Sequence, residues 1–496
     1  MRILLIDPPF YRFMGYYNRY FPLGLAMIAG ALRKKGHEVE IYDADANVNP
    51  NKMDFSRLED SYIGYLNRVK DNNDEIWIEL KQKLKEFKPD VIGVGVWTTY
   101  AASAFKIAEI CKSTLNGVPV IFGGPHITIK YDETLKICKN ADFLIRGEGE
   151  NTIVELISLL SEKKSDELES IKGLSFRKDR DIVHNQNRPF IEDLDNLPLP
   201  ARELLVNKGS YDSEDMGLIM TGRGCPYLCA YCATAIWGRK VRNRSLEHIF
   251  KEVEIVKSSY HTVQFTFKDD SFTVNKNRVT EFCNELIKRK LNIKWDCNTR
   301  VDLVDKALLC LMKKAGCIGV KVGIETGSER VLSYIEKGTT LDKARKAAKI
   351  FKETGMFWTA YLMMGVPSET KEEVLQSINF MKELKPDYIS FSVYEPFPGT
   401  KLFDIGVEKG LVCKERNYED YFNINPKYYY VKDIERKSDA MNIGEMAELE
   451  ELIKNEIHIY NKSFGRLYKR AISKSMVYFK DPKVFVRDIK KFLAWL

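Results

Sequence analysis

The sequence predicts an α/β protein in three parts: a mostly parallel N-terminal sheet covered by helices on both faces (residues 1–186), a central strand–helix repeat (213–408), and a helical C-terminal extension (409–496). Two patterns carry this reading. Short Val/Ile-rich runs alternate with amphipathic segments through the first two parts, as buried parallel strands joined by crossover helices do. Between them, NRPFIEDLDNLPLPARELL (187–205) is rich in proline and acid and reads as part of a linker spanning 187–212.

Taken in order, the N-terminal part supplies the strand RILLID, the helix PLGLAMIAGALRKKG, and the strands EVEIYDAD, DVIGVGV, VPVIFGG and ADFLIRG. A polar stretch between Asn47 and Pro89 ends in the helix EIWIELKQKLKEF, whose Ile76, Leu80 and Leu84 recur at helical spacing and read as core. The centre supplies six strands, GLIMTG, TVQFTFKDD, IKWDCNT, GVKVGIET, WTAYLMMG and YISFSVYEP, with helices such as SLEHIFKEVEIVKSS between them. In such repeats functional groups collect beyond the carboxyl ends of the strands.

A chain of 496 residues, 44% hydrophobic and 30% charged, has the length for two or three domains with full cores and the composition of a soluble globular protein. MRILLIDPPF is too briefly apolar for a signal peptide, and no run approaches the ~18 apolar residues of a membrane span. The expected location is the cytoplasm, where thiols stay reduced. The net charge of +7 resides in the tail: residues 465–496 hold nine Lys or Arg against two Asp. The near-neutral body argues against a nucleic-acid partner, which needs a continuous basic surface. In KVFVRDIKKFLAWL (483–496), Phe485, Ile489, Phe492, Leu493 and Leu496 fall near one helical face and Lys483, Arg487, Lys490 and Lys491 largely away from it. Two readings stand: a terminal helix docked on the body, or peripheral contact with an anionic membrane surface or a lipid-like substrate delivered from it.

Cys225, Cys229 and Cys232 follow the first central strand and supply three thiolates with no nearby fourth. A closed zinc site wants four ligands, and an electron-carrying [4Fe-4S] cluster wants four cysteines, so three leave a metal position open. A redox CxxC pair would need no cysteine upstream, and zinc motifs usually bring a second paired knuckle, which is not found. The remaining cysteines, 111, 138, 283, 297, 310, 317 and 413, lie among apolar residues and read mostly as buried small hydrophobes.

This Cys-x3-Cys-x2-Cys run, with Gly224 and Pro226 beside the first cysteine and Tyr231 before the third, resembles the signature of the radical S-adenosylmethionine (SAM) enzymes. The resemblance implies a partial (β/α)6 barrel and a [4Fe-4S] cluster on Cys225, Cys229 and Cys232. Its open iron would be chelated by SAM, which one electron cleaves to methionine and a 5′-deoxyadenosyl radical. It further implies that Tyr231 sets the backbone that reads adenine, and that Asp269 and Asp270 lie where the family contacts the SAM amino group. Glu325 would contact the SAM ribose or amino-acid part, the plainer reading being a cap on the next helix. Gly365 to Glu369 (GVPSE) resembles a family turn near adenine, and PFPGT (396–400) would close the site. Arg300 and the group Arg239, Arg242 and Arg244 read either as partners of the SAM carboxylate or as solvated surface; Ser245 reads as an N-cap.

In the N-terminal part, Pro8–Pro9, PLGL (22–25), Asp43, Asp45, GGPHIT (123–128) and RGEGE (146–150) together resemble the Rossmann-like cobalamin-binding domain of one large radical SAM subclass. Gly123 and Gly124 would let backbone approach a bulky ligand, although Gly-Gly after a strand is often only a turn. Glu148 and Glu150 would repel phosphate and complement a helix dipole, so RGEGE reads as a structural turn. Where many cobalamin proteins carry Asp-x-His-x-x-Gly, this chain has Asp7, Pro8 and Pro9. The resemblance therefore implies cobalamin without a histidine below cobalt, screened by side chains between Tyr11 and Tyr20, with His126 as an alternative ligand or a polar contact.

The activity implied is that of a cobalamin-dependent radical SAM enzyme, most commonly a methyltransferase acting on an unactivated carbon and needing no side-chain base. Cyclisation or rearrangement without methylation uses the same domains. An RNA methylthiotransferase would need three further cluster cysteines, and Cys111 and Cys138 are too few. An iron–sulfur sensor would need no SAM contacts, against which Asp270, Glu325 and Glu369 stand. The partners expected are a small or lipid-like substrate, in a pocket shaped where the helical C-terminus from about Gly410, rich in tyrosines at 427–430, covers the barrel mouth, and an electron donor such as flavodoxin or ferredoxin.

Overall fold

The computed structural model describes residues 1–17, 20–47, 58–424, 439–480 and 482–493. The chain divides into two units, Met1–Asp215 with Lys414–Tyr428, and Met216–Cys413 with Tyr429–Leu496.

The first unit is built on a seven-stranded sheet of order β2-β1-β3-β4-β5-β6-β7. Strands β1 (Arg2–Asp7), β2 (Glu38–Asp43), β3 (Val91–Gly95), β4 (Val120–Gly123) and β5 (Phe143–Ile145) are parallel. Strands β6 (Leu174–Lys178) and β7 (Asp181–His184) add an antiparallel edge. Ile3 to Ile6 are fully buried, as expected of a strand covered on both faces. Leu4 and Ile6 face one core with Ile76, Trp77, Leu80, Leu84 and Phe105, which places the predicted helical stripe where its spacing demanded. The order β2-β1-β3 reverses direction between β1 and β3, and ligands of open α/β sheets bind beyond the strand carboxyl ends at that point.

Residues 187–212, expected to be a linker, are tied to this unit. The Ala201 N–H donates to Ala26 O and the Val206 N–H to Ile41 O, both at 2.9 Å, and the Tyr211 hydroxyl donates to Asp43. Prolines bar a regular ladder here, yet isolated amides still find partners. Part of the expected C-terminal extension also belongs to this unit: Tyr418–Asn423 forms a short helix whose Tyr418 stacks on Phe105 at 5.7 Å. Aromatic burial fixes that placement, which no local pattern announces.

The second unit contains a short antiparallel ribbon of β9 (Gly222–Arg223) and β10 (Arg242–Asn243), and a six-stranded parallel sheet of β8 (Leu218–Ile219), β11 (Gln264–Phe267), β12 (Lys294–Thr299), β13 (Cys317–Glu325), β14 (Trp358–Met364) and β15 (Tyr388–Val393). All six predicted strands are present, in the order β15-β14-β13-β12-β11-β8, each hydrogen-bonded to its sequence neighbour as in a partial barrel. The helix Ile443–Asn461 packs Met446, Leu449 and Ile453 against Met364 and Val374.

The tail helix Pro482–Leu493 turns differently from expectation: Val484 is buried, whereas Phe485 and Ile489 are 45% and 40% exposed. The side chains of Lys483, Arg487, Lys490, Lys491, Phe492, Leu493 and Leu496, and the tyrosines at 427–430, lie outside the described residues. Among the described residues no helix is long and apolar enough to cross a membrane.

Candidate functional site

The cysteine loop leaves β8 under the control of Asp269, just beyond β11. Asp269 Oδ1 accepts the Thr221 N–H at 2.6 Å and the Gly222 N–H at 3.3 Å, and the Thr221 hydroxyl donates to its other oxygen. Asp269 is thereby committed to holding the loop, and the second aspartate, Asp270, is left exposed beside it. Surrounding protein and the Asp269 charge together lift the Asp270 carboxyl to about 6. Gly224 has φ +95°, and a Cβ there would meet Lys240 O at 2.4 Å, so only glycine allows the turn into Cys225. Three backbone bonds then fix the loop: Cys225 N–H to Gly238 O (3.2 Å), Cys232 N–H to Cys229 O (3.1 Å) and Ala230 N–H to Ile335 O (2.8 Å).

Cys225, Cys229 and Cys232 are half-buried and form no disulfide. Burial pushes the Cys225 thiol up, and Asp270, Cys232 and Cys229 add to the rise. Among the described residues no three His, Cys, Asp or Glu are gathered closely enough to grip a single ion. Three soft sulfur donors on one glycine-turned loop are a donor set that fits a [4Fe-4S] cluster with a free iron.

Tyr231 and Glu325 meet through a third residue. The Tyr231 hydroxyl donates to Glu325 Oε1 at 2.9 Å; Lys337 Nζ lies 2.6 Å from the same oxygen and 2.9 Å from the Tyr231 oxygen. Lys337 and Glu325 are both buried. Burial, then the Glu325 carboxylate, push the Tyr231 phenol well up, so it stays a donor. Glu325 adopts φ +69° where the register of β13 against β14 shifts, and a Cβ on Gly323 would fall 2.1 Å from its Oε1. The plainer role considered for Glu325 does not hold, because Ser328 caps the following helix by accepting the Val331 N–H at 3.2 Å.

The other barrel residues divide similarly. Glu369 is buried and its Oε2 accepts the Gly365 N–H at 2.6 Å, closing the GVPSE turn, while its Oε1 has no partner among the described residues. Burial raises this carboxyl to about 7. Arg244 is paired with buried Glu252 at 2.5 Å, Arg242 donates to Trp237 O at 2.7 Å, and Arg239 donates to Tyr227 O. These three arginines therefore shape the loop instead of offering a free guanidinium. Ser245 caps the helix Leu246–Tyr260 as expected, and Thr400 in PFPGT caps Lys401–Glu408.

In the first unit, Asp45 Oδ1 accepts the Phe10 and Arg12 N–H groups, both at 2.7 Å, and Asp43 accepts the Asp45 and Ala46 N–H groups at 2.8 and 3.1 Å. These carboxyls fasten the segment after β1 to the end of β2. Burial raises Asp43 to about 6; burial and then Asp43 raise Asp45 to about 7; burial and both neighbours push Asp7 well up. Gly124, φ +106°, would place a Cβ 2.9 Å from Val96 O, so packing on β3 already requires this glycine; Gly123 leaves ordinary space. Glu148 accepts the Ile191 N–H at 2.6 Å, a structural use as expected.

His126 is fully buried: its Nδ1 pairs with Thr98 Oγ1 at 3.1 Å and its ring meets Tyr421 edge-on at 5.7 Å. The enclosed ring leaves its Nε2 without a hydrogen-bond partner among the described residues. Beyond β3, Trp97 is 51% exposed at the strand carboxyl end. An exposed aromatic and a glycine required by packing, both beyond the strand carboxyl ends, fit the place where an open α/β sheet receives a broad ligand such as cobalamin.

Residues 219–381 match the family model described as the radical SAM superfamily, and residues 15–157 match the B12 binding domain. An uncharacterized methyltransferase of Pyrococcus horikoshii is 33% identical over 86% of this chain and 87% of its own length. The chain belongs to the cobalamin-binding radical SAM enzymes. The cofactors of this family are a [4Fe-4S] cluster, SAM and cobalamin; the radical SAM match spans the cysteine loop, and the B12 match lies within the first unit. Another relative, the anaerobic magnesium-protoporphyrin IX monomethyl ester cyclase of Rubrivivax gelatinosus, is 27% identical over 94% of this chain and 78% of its own. The fold matches that of the radical SAM methyltransferase TsrM from Kitasatospora setae, solved with cobalamin and a [4Fe-4S] cluster, at a TM-score of 0.64 and 19% identity, covering 84% of this chain and 76% of that one.

Sequence reading missed Lys337 and Trp97. Nothing local separates Lys337 from the many surface lysines, and Trp97 would have been visible only as an aromatic placed one residue beyond a strand end.

Proposed function

We propose that this cobalamin-binding radical SAM enzyme methylates an unactivated carbon of a small or lipid-like molecule. When bound, the cofactors supply reductive cleavage of SAM and relay of a methyl group. The observation that carries the reading is the pairing, in one chain, of an open three-thiol loop on a partial barrel with a Rossmann-like unit whose rim histidine is buried. The protein's own work is positional. Cys225, Cys229 and Cys232 hold the cluster, Asp269 sets their loop, and Asp270, lying beside them with no internal ligand role, receives the SAM ammonium. The Tyr231–Lys337–Glu325 group fixes the third-cysteine segment against β13, and Gly365–Glu369 shapes the turn for adenine. No side chain is needed as a general base.

The test is anaerobic incubation of cobalamin-supplied enzyme with reductant and SAM, quantifying 5′-deoxyadenosine and S-adenosylhomocysteine together. Both products support methylation. Deoxyadenosine alone favours a second reading, cyclisation or rearrangement, for which the cyclase relative speaks. An electron donor of the flavodoxin or ferredoxin kind fits the single-electron demand. Exposed Tyr468, Ile472 and Phe479, spaced along one helical face, support peripheral contact with a lipid surface or substrate.

A further inference from the structure

Arg300 stands at the carboxyl end of β12, buried, and reaches a cluster cysteine directly. Its Nη1 lies 3.8 Å from Cys229 Sγ, its Nη2 donates to Lys337 O at 2.7 Å, and its guanidinium rests over the Tyr227 ring at 3.7 Å. Asp302 grips the same guanidinium, with Nε to Oδ1 at 3.0 Å and Nη2 to Oδ2 at 3.3 Å. A planar cation is thus clamped by a ring, a carboxylate and a carbonyl, with one edge aimed at a cluster thiolate. The SAM carboxylate, the partner first considered for Arg300, would have to compete with all of them.

We propose that Arg300 is a positioning residue for the cluster, donating to the Cys229 thiolate and, together with Asp302, setting the reduction potential of the iron–sulfur centre. This rests on the cluster reading above. Hydrogen bonds to the sulfurs and net local charge are levers on such potentials. Reduction adds a negative charge to the centre, so a guanidinium at the thiolate favours the reduced form and raises the potential, and the Asp302 carboxylate opposes it. The two residues should therefore act with opposite signs, which a merely structural role would not produce.

The experiment is an EPR-monitored redox titration of the full-length, anaerobically reconstituted protein, with iron and sulfide counted in every sample. Arg300→Gln should shift the midpoint negative, Arg300→Lys should recover part of the shift by restoring charge, and Asp302→Asn should shift it positive. Unshifted midpoints in cluster-loaded Arg300→Gln and Asp302→Asn, or shifts of the same sign, overturn the proposal, as does weaker SAM binding at an unchanged midpoint. Should Arg300→Gln fail to load, Asp302→Asn and Arg300→Lys still decide the sign. A wild-type protein that takes up no cluster at all would instead remove the cluster reading itself, a result told apart by the iron count.

Discussion

Lys337 Nζ lies 2.6 Å from Glu325 Oε1, and the pair is closed to water on a strand end that also holds the Tyr231 hydroxyl. The contact joins the segment carrying Cys232 to the residue that ends β13, across a register shift and a glycine with no room for a side chain. A buried pair of this kind stabilises little by itself, but its rupture strands a charge.

Lys337→Met should therefore destabilise the second unit by about 3–5 kcal/mol, the cost of breaking a buried pair from one side. Lys337→Met with Glu325→Gln should cost less than the sum of the two single changes, since neither then leaves a bare charge. Denaturant unfolding of all three variants checks the cycle. An additive result would show the two groups to be independent.

The two neighbouring aspartates should separate cleanly. Asp269→Ala frees Thr221 and Gly222 from their acceptor and should lower iron content on reconstitution. Asp270→Asn should keep iron content and raise the SAM dissociation constant at least tenfold, about 1.4 kcal/mol lost from a charged contact. Iron assay and calorimetry distinguish them; equal SAM affinity in Asp270→Asn would remove Asp270 from the site.

Gly224→Ala places a methyl against Lys240 O on a left-handed backbone. Strain of about 1–3 kcal/mol falls on the loop that presents Cys225, so cluster loading should drop while the first unit keeps its cobalamin affinity. The ratio of iron to bound cobalamin reports the difference.

His126→Gln should leave the spectrum of bound cobalamin unchanged, because the ring is enclosed and already engaged with Thr98. An EPR spectrum of the cob(II)alamin form checks this: nitrogen hyperfine structure lost in the variant would mean that His126 reaches the cobalt.

Stability of the first unit should fall as pH rises from about 4 to 7. Asp45, raised to about 7 by burial and then by Asp43, binds its proton more tightly folded than unfolded, where an aspartate titrates near ~4. The folded state thus holds more protons in that window and loses stability as they leave. Asp45→Asn can keep both backbone bonds on one oxygen and cannot ionise, so its Tm should vary less between pH 5 and pH 8 than that of the wild type.

Local features were legible in the chain. The strands were legible in runs of β-branched residues, and the thiol loop in the spacing of Cys225, Cys229 and Cys232, because ligand spacing and the turn at Gly224 are properties of a dozen consecutive residues. Tertiary structure alone decided which polar groups remain available to a cofactor. Asp269 and Asp270 are adjacent and alike in sequence, yet Thr221 and Gly222, nearly fifty residues earlier, occupy one of them. His126 looked available until Tyr421 was found against its ring. Lys337 became recognisable only when β13 and the cysteine loop brought Glu325 and Tyr231 to it. A buried polar group must be satisfied by whatever the fold places beside it, and that neighbour is set by packing between distant segments, which no local pattern records.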